Sequence, residues 1–383
     1  MDEWAGIYKI GKVPQSYSDA SYNPPPPHKP SAAPAPESGS MSKRKLNRRQ
    51  RWRIAKIQEE REARARKRDA SFEHAEEEGD LGPEQTGLII ANYGSQVLVE
   101  GEAGSTLRQR CHVRANIDTL VTGDQVAWRP ATGESTGGLG VVGARLPRHS
   151  ELQRPDRYGD MKTVAANIDR ILIVIAPYPE PFANAIDRYL VAAETTGIQP
   201  LLLLNKIDLI DDSNRDSLEQ LLAPYPGLGY EVLKLSTKTG EGLDGLLATL
   251  AQGTSVFVGQ SGVGKSSLIN GLLPGTDART GALSEATGKG THTTTAAELF
   301  HLPSGGDLID SPGIREFGIW HMSEQELLEG FVEFRPFIGH CRFRDCNHQG
   351  EPGCAIKNAL KRGDISQRRM DSYQHLRNSL ENE

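Results

Sequence analysis

The chain has 383 residues, 50 Asp and Glu against 44 Lys and Arg, and a net charge of -6, a length that allows two or three domains, each with its own core. Four cysteines, no apolar run near the length of a membrane span and no basic-then-apolar leader argue against a disulfide scaffold, a membrane protein and a secreted one. A cytoplasmic protein is expected.

The charge is unevenly spread. Residues 43–68 hold thirteen Lys and Arg against three Glu, a net +10 that leaves -16 on the rest of the chain. A dense basic arm on an otherwise acidic protein points to a polyanionic partner. Residues 1–40, rich in Pro, Ser, Ala and Gly, have too few large apolar side chains for a core and read as a disordered tail. Met41 is a second possible start. Residues 41–81 read as a basic, partly helical arm. Its apolar residues Trp52, Ile54 and Ile57 make a face too narrow for a core, so it is either a nucleic-acid-binding arm that orders on contact or a solvated tail.

Over residues 82–150 the pattern changes to short alternating runs broken by Gly, at 87–91, 96–100, 108–113, 124–128 and 140–142. Five short strands at this spacing predict an OB-type β-barrel. Arg108, Arg110, His112 and Arg114 alternate along one of them, as a basic stripe for nucleic acid or as an ordinary solvent face.

Residues 151–318 read as α/β. The continuous apolar runs 171–176 and 201–204 suit parallel strands covered on both faces, and Ile186, Leu190, Ala193 and Gly197 recur between them at helical spacing. A strand at 232–235, a helix at 243–250 and a strand at 255–258 follow. Next comes Gly259-Gln260-Ser261-Gly262-Val263-Gly264-Lys265-Ser266, a complete phosphate-binding loop, with Ser267 opening the helix 267–273. Gly259 and Gly264 let consecutive N–H groups curl inward, and those groups and the helix N-terminus hold phosphate oxygens. Lys265 is expected to reach the β and γ phosphates, and Ser266 to offer its hydroxyl to Mg2+.

The nucleotide is read from the residues after the neighbouring strands. Asp208 in Asn205-Lys206-Ile207-Asp208 can accept both the N1–H and the 2-amino group of guanine, Asn205 addresses the O6/N7 edge, and the Lys206 stem covers the base. Adenine lacks that donor pair. Ser236-Thr237-Lys238 follows the next strand and completes the contact with O6. Downstream, Asp310-Ser311-Pro312-Gly313 follows a strand at 306–309. Asp310 is expected to hold Mg2+ and the Gly313 N–H to sense the γ phosphate. The guanine motifs precede the phosphate loop, the reverse of the ordinary order, so the domain is expected to be a circularly permuted P-loop GTPase, closed by a different join. The Gly-rich stretch 288–295 suits a switch in which Thr293 or Thr294 reaches Mg2+. Gly313 is followed by Ile314, not by a water-orienting Gln, which makes His292 the candidate partner of the attacking water.

In residues 319–383, Cys341, Cys346, His348 and Cys354 supply three thiolates and an imidazole, enough for one structural tetrahedral Zn2+ in a small α-helical domain. Arg335, Arg342, Arg344, Lys357, Lys361, Arg362, Arg368 and Arg369 make its expected surface basic, for RNA or protein contact. Asp364 is expected to cap a final helix that carries Ile365, Tyr373, Leu376 and Leu380 on one side.

With GQSGVGKSS, NKID, DSPG, THTTT and the Cys/His cluster in this order, residues 41–383 resemble the ribosome small subunit-dependent GTPase A family of bacteria. The resemblance implies GTP hydrolysis stimulated by the 30S subunit during its late maturation, contact with 16S rRNA and His292 as the catalytic His. We expect a monomeric, Mg2+-dependent GTPase that binds GTP and GDP and neither DNA nor membrane. The alternative is a GTP-regulated RNA-binding switch controlling translation, without an assembly role.

Overall fold

The computed structural model describes residues 80–101, 106–133, 138–156, 158–273, 297–310, 318–319 and 322–380. The expected tail and nearly all of the arm, Gly313, and the stretch with His292, Thr293 and Thr294 lie outside the described residues.

Five strands, β1 (Gln85–Asn92), β2 (Gln96–Glu100), β3 (Arg108–Val113), β4 (Gln125–Arg129) and β5 (Gly140–Arg145), follow the alternating runs of the sequence. They pair in the cycle β1-β2-β3-β5-β4-β1, with β3 and β5 parallel and the rest antiparallel, which closes an OB-like barrel. The inward residues of the alternation, Ile89, Val97, Val99, Cys111, Val126, Trp128 and Val142, form its core. Trp128 is fully buried and donates from Nε1 to the Thr86 carbonyl at 3.3 Å. Gly87 is required beside it, since a Cβ there would strike the indole. Burial in this core pushes the Cys111 thiol up to about 12, so it is an inert packing residue.

Only part of the basic stripe stays at the surface, where Arg108 and Arg110 are exposed. His112 is buried, Arg114 lies beyond the end of β3, and the Arg108 Nε is 2.6 Å from Glu100 Oε2. Arg110 stays outside and lies over the Tyr93 ring, 4.8 Å from its centroid. His112 alternates with the inward Cys111 and pairs with Val141, which packs with Leu81 in a small cluster outside the barrel core, so it is buried on the outer face of the strand.

A hairpin absent from the sequence reading, β6 (Glu151–Pro155) with β7 (Met161–Ala166), leads to the parallel strands β8 (Arg170–Ile175), β9 (Gln199–Leu204), β10 (Val232–Lys234) and β11 (Thr254–Val258). Strands β12 (Glu298–His301) and β13 (Asp307–Asp310) complete the sheet, and β12 is its antiparallel member. The order is β10-β9-β8-β11-β13-β12, continued through β12 into β1 of the barrel. The phosphate-loop strand β11 therefore sits between the first parallel strand and the last, as a permuted chain demands.

Because β8, β9 and β11 are apolar on both faces, each face takes its own helices. On one face α1 (Ala183–Thr196) packs through Ile186, Leu190 and Val191 and ends at Gly197, whose φ of 71° is the left-handed conformation that glycine adopts freely. Helix α2 (Arg215–Leu222) covers the same face through Leu218 and Leu222. Helices α3 (Leu243–Thr249) and α4 (Lys265–Leu272) cover the other, with Leu246, Leu268 and Ile269.

The C-terminal helices α5 (Glu324–Gly330), α6 (Ala355–Arg362) and α7 (Gln367–Leu380) join the core on the α1 side. Ser323 caps α5 in a capping box with Glu326. Helix α7 is capped two residues later than expected: Ser366 Oγ accepts the Arg369 amide at 3.3 Å, while Asp364 pairs with Arg362. Phe331, Phe334 and Tyr373 stack at centroid distances of 5.1 to 5.7 Å.

Three arginines assigned to a basic surface belong to this junction. Arg369 is 1% exposed, bonded to Asp187 on α1 at 2.6 Å and to both Glu333 oxygens at 2.5 and 3.0 Å, with its guanidinium 4.4 Å from the Phe331 ring centroid. Arg368 donates to the Gln220 and Leu221 carbonyls of α2, and Arg335 pairs with Glu194 of α1 at 2.7 Å. The exposed basic residues of this part are Arg335, Arg342, Arg344, Lys361 and Arg362, with Lys357 partly exposed.

Candidate functional site

Parallel strands aim their C-terminal ends the same way, so the loops after β9, β10 and β11 meet along one edge of the sheet. These loops carry Asn205, Ser236 and Gly259.

The loop after β11 is shaped by its glycines. A Cβ at Gly259, where φ is 134°, would strike the Val174 carbonyl, and one at Gly264, where φ is 98°, would strike the Asn205 amide. Only glycine leaves the backbone room to curl here. Lys265 Nζ donates to the Gly259 and Gln260 carbonyls, both at 2.6 Å, so the cation lies across its own loop. Val263 is buried and pins the loop to the core, whereas Ser261, Gly262 and Ser267 are exposed and Ser266 is partly exposed at the first turn of α4. The helix start and the turned-in loop suit a phosphate chain.

The loop after β9 is locked onto the phosphate loop. Asn205 is fully buried and donates from Nδ2 to the Val263 carbonyl at 3.0 Å, while its Oδ1 has no hydrogen-bond partner among the described residues. An orphaned buried acceptor beside this loop fits a ligand that brings a donor. Lys206, at φ 59°, extends Nζ to the Gly262 carbonyl at 2.5 Å and the Tyr178 carbonyl at 3.2 Å, which lays its stem along the rim. Asp208 accepts from Ser236 Oγ at 2.6 Å, with Lys238 Nζ 3.6 Å away. The Ser236 hydrogen bond comes first among the causes that hold the Asp208 carboxyl below its ordinary pKa, which keeps it a charged acceptor. Ser236 is itself buried and accepts the Lys238 and Thr239 amides, each at 3.2 Å, and Thr237 lies partly exposed between them.

Asp310 closes β13 beside β11, where Ile309 pairs with Val256. Sequence reasoning found the loops because each is a contiguous motif. It missed the strand β12, whose Glu298 pairs with Asp310, because a short mixed run carries no periodic signal.

The second cluster lies apart in sequence, at the N-terminus of α6. One ligand atom from each of Cys341, Cys346, His348 and Cys354 falls within 4.8 Å of the others. The Cys341 and Cys354 sulfurs are 3.9 Å apart, and His348 Nδ1 is 3.6 and 3.4 Å from them. Zn–S near 2.3 Å and Zn–N near 2.0 Å give tetrahedral edges of roughly 3.8 and 3.5 Å, so the donor set fits zinc. Glu351 accepts the amides of Asn347, Gln349 and Gly350 at 2.9, 2.9 and 3.0 Å. These bonds, led by that of Gly350, pull its carboxyl down to about 2 and fix the knuckle between the His and the last Cys.

Comparison with known proteins gives one family. A family model described as RsgA GTPase matches residues 145–320. The chain is 61% identical over 342 residues to the Small ribosomal subunit biogenesis GTPase RsgA of Ectopseudomonas mendocina (strain ymp), covering 89% of this chain and 98% of that protein. Its identity to the protein of the same name from Pseudomonas aeruginosa (strain PAO1) is 59% over 340 residues, with the same coverage. Among solved structures it is similar to YjeQ from Thermotoga maritima, at a TM-score of 0.65 and 31% identity, covering 79% of this chain and 100% of that one. It is also similar to YloQ, described as a circularly permuted GTPase, at a TM-score of 0.62 and 29% identity, covering 78% and 96%.

Proposed function

The chain belongs to the RsgA GTPase family, and from that membership we propose that it hydrolyses GTP to GDP and phosphate in the biogenesis of the small ribosomal subunit. The observation that carries the nucleotide reading is the lock between the two loops, in which Asn205 reaches Val263 while Asp208 is held ionised by Ser236.

In this reading the N–H groups of residues 259–266 bind the phosphates, and Lys265 leaves the Gly259 and Gln260 carbonyls for the β and γ oxygens. Asp208 accepts the two guanine donors, the Asn205 side chain meets the O6/N7 edge, Lys206 covers the base, and Ser236 with the Thr237 and Lys238 backbone completes the base pocket. Mg2+, when bound, would supply charge neutralisation at the phosphates. Ser266 and Asp310, with Thr293 or Thr294, are its proposed ligands, and Gly313 the proposed sensor of the γ phosphate. His292 is the proposed partner of the attacking water. The cluster at Cys341, Cys346, His348 and Cys354 is proposed to hold one structural Zn2+, with no ligand position left for a substrate.

Exposed cations on the barrel and near the cysteine cluster, together with the basic arm, support contact with 16S rRNA in the 30S subunit by a monomeric protein in the cytoplasm. Five regions are proposed: a tail at 1–40, the arm at 41–81, the barrel at 82–150, the GTPase at 151–318 and the zinc-binding helices at 319–383. Phosphate release with and without purified 30S subunits tests the function. Stimulation is expected, and its absence would leave the alternative of a translation switch without an assembly role. His292→Ala is expected to abolish stimulated turnover with GTP binding retained.

A further inference from the structure

Residues of the barrel reach the nucleotide site by a short route that no sequence motif marks. Ala91 of β1 pairs with Glu298 of β12, and Glu298 pairs on its other side with Asp310 of β13. One row of backbone pairs thus runs from the barrel to the proposed Mg2+ ligand. The residue before Glu298, Ala297, has its carbonyl held by the barrel as well, because Thr122 Oγ1 donates to it at 2.9 Å across 175 residues of chain.

Thr122 is built to hold this position. It is fully buried, and its carbonyl accepts the Ala166 amide of β7 at 3.1 Å. Its neighbour Gly123 donates to the Ile89 carbonyl at 2.9 Å and accepts from Asn167 Nδ2 at 2.8 Å. The loop that carries Thr122 is clamped by Asp124, which takes a bidentate pair from Arg148 at 2.6 and 2.8 Å and accepts the Val121 amide at 2.7 Å, while Arg148 also reaches the Thr119 carbonyl. Such pairs fix geometry at both ends. The far end of β12 is gripped too: His301 lies between Glu100 of the barrel and Asp307 of β13, at 2.6 Å from each. The strand is thus held to the barrel at its start by a hydroxyl and at its end by an imidazole.

We propose that Thr122 is a positioning residue for GTP hydrolysis: its hydroxyl fixes Ala297, and through the Glu298 and Asp310 pair it couples what the barrel binds to the Mg2+ end of the nucleotide site. The inference rests on the reading of the chain as a GTPase, and it assigns to the barrel a part in turnover beyond adhesion to the subunit.

The test is made on the full chain. In Thr122→Val the shape is kept and the hydroxyl lost, and in Thr122→Ser the hydroxyl is kept. With 30S subunits, Thr122→Val is expected to lower kcat about tenfold with KM for GTP within about twofold, and Thr122→Ser to restore it. Cosedimentation with the subunit is expected to be unchanged. A Thr122→Val protein stimulated like the wild type overturns the proposal. Where Val is not tolerated, Thr122→Ala carries the same test without added volume. Without subunits, the half-saturating Mg2+ for GTP binding is expected to rise severalfold in the Val variant and return in the Ser variant. An unchanged Mg2+ requirement counts against the coupling. A wild-type chain that subunits fail to stimulate sinks the functional reading instead, and the Mg2+ titration then decides the coupling alone.

Discussion

Asn205 reaches from the end of β9 to the phosphate loop and donates from Nδ2 to the Val263 carbonyl at 3.0 Å. One buried amide therefore ties the loop after β9 to the loop after β11. Since Val263 is also in the core, neither loop can shift alone.

Removing that tie has a cost in affinity. Asn205→Ala leaves the Val263 carbonyl buried without its donor, which costs about 1–3 kcal/mol, or roughly ten- to a hundredfold in GTP dissociation constant. A fluorescent GTP analogue titrated against both proteins reads this directly, and equal affinities would refute the lock.

Asp208 is the proposed reader of the base. Asp208→Asn turns one acceptor into a donor, so GTP is expected to bind at least tenfold more weakly and xanthosine triphosphate more tightly, as a competition assay would read. The pH dependence follows from the Ser236 bond, which holds the Asp208 carboxyl below its ordinary value. Its contribution is complete above the ordinary carboxylate pKa and is lost as pH falls through the depressed one. Ser236→Ala removes the main cause, so GTP affinity is expected to begin falling at a higher pH than in the wild type.

At the junction of α1 and α7, Arg369→Met leaves Asp187 and Glu333 buried without their cation. Breaking such a set by one partner costs about 3–5 kcal/mol, a large part of the roughly 5–15 kcal/mol that holds a domain together. Urea unfolding is expected to show this loss, and a change under 1 kcal/mol would mean that the junction relaxes into water.

The cysteine cluster can be tested without activity. Cys341→Ser removes a thiolate and, with it, the acceptor of the Ala355 amide at the start of α6. Metal analysis is expected to give one zinc per wild-type chain and a substoichiometric value in the variant, with a melting temperature lower by about 5–10 °C. A wild-type protein free of zinc after purification in zinc-supplemented medium would reject the site.

Much of this was legible along the chain. The phosphate-loop motif, the proposed guanine-reading residues and the Cys/His cluster are each local, and local spacing marks them. Arg369 was misread for the opposite reason: its partner Asp187 lies 182 residues away, and a basic residue on a helix looks the same whether it meets water or a buried carboxylate. His112 was misread because its outward side of β3, beside Val141, is not open to solvent once the strands pair, which spacing along one strand does not reveal. Strand β12 was missed because four mixed residues become a strand only when β13 and β1 flank them.

By itself the sequence determined which residue types stand where: the glycines at 259 and 264 that a curled loop needs, the proposed guanine acceptor Asp208, and the three cysteines and one histidine within residues 341–354. It also determined that the order of motifs is permuted. Tertiary structure alone decided how these parts are joined, because hydrogen bonds between distant strands leave no trace in spacing. Thr122 on Ala297, the row from Ala91 through Glu298 to Asp310, and Arg369 between Asp187 and Glu333 exist only once the sheet has closed.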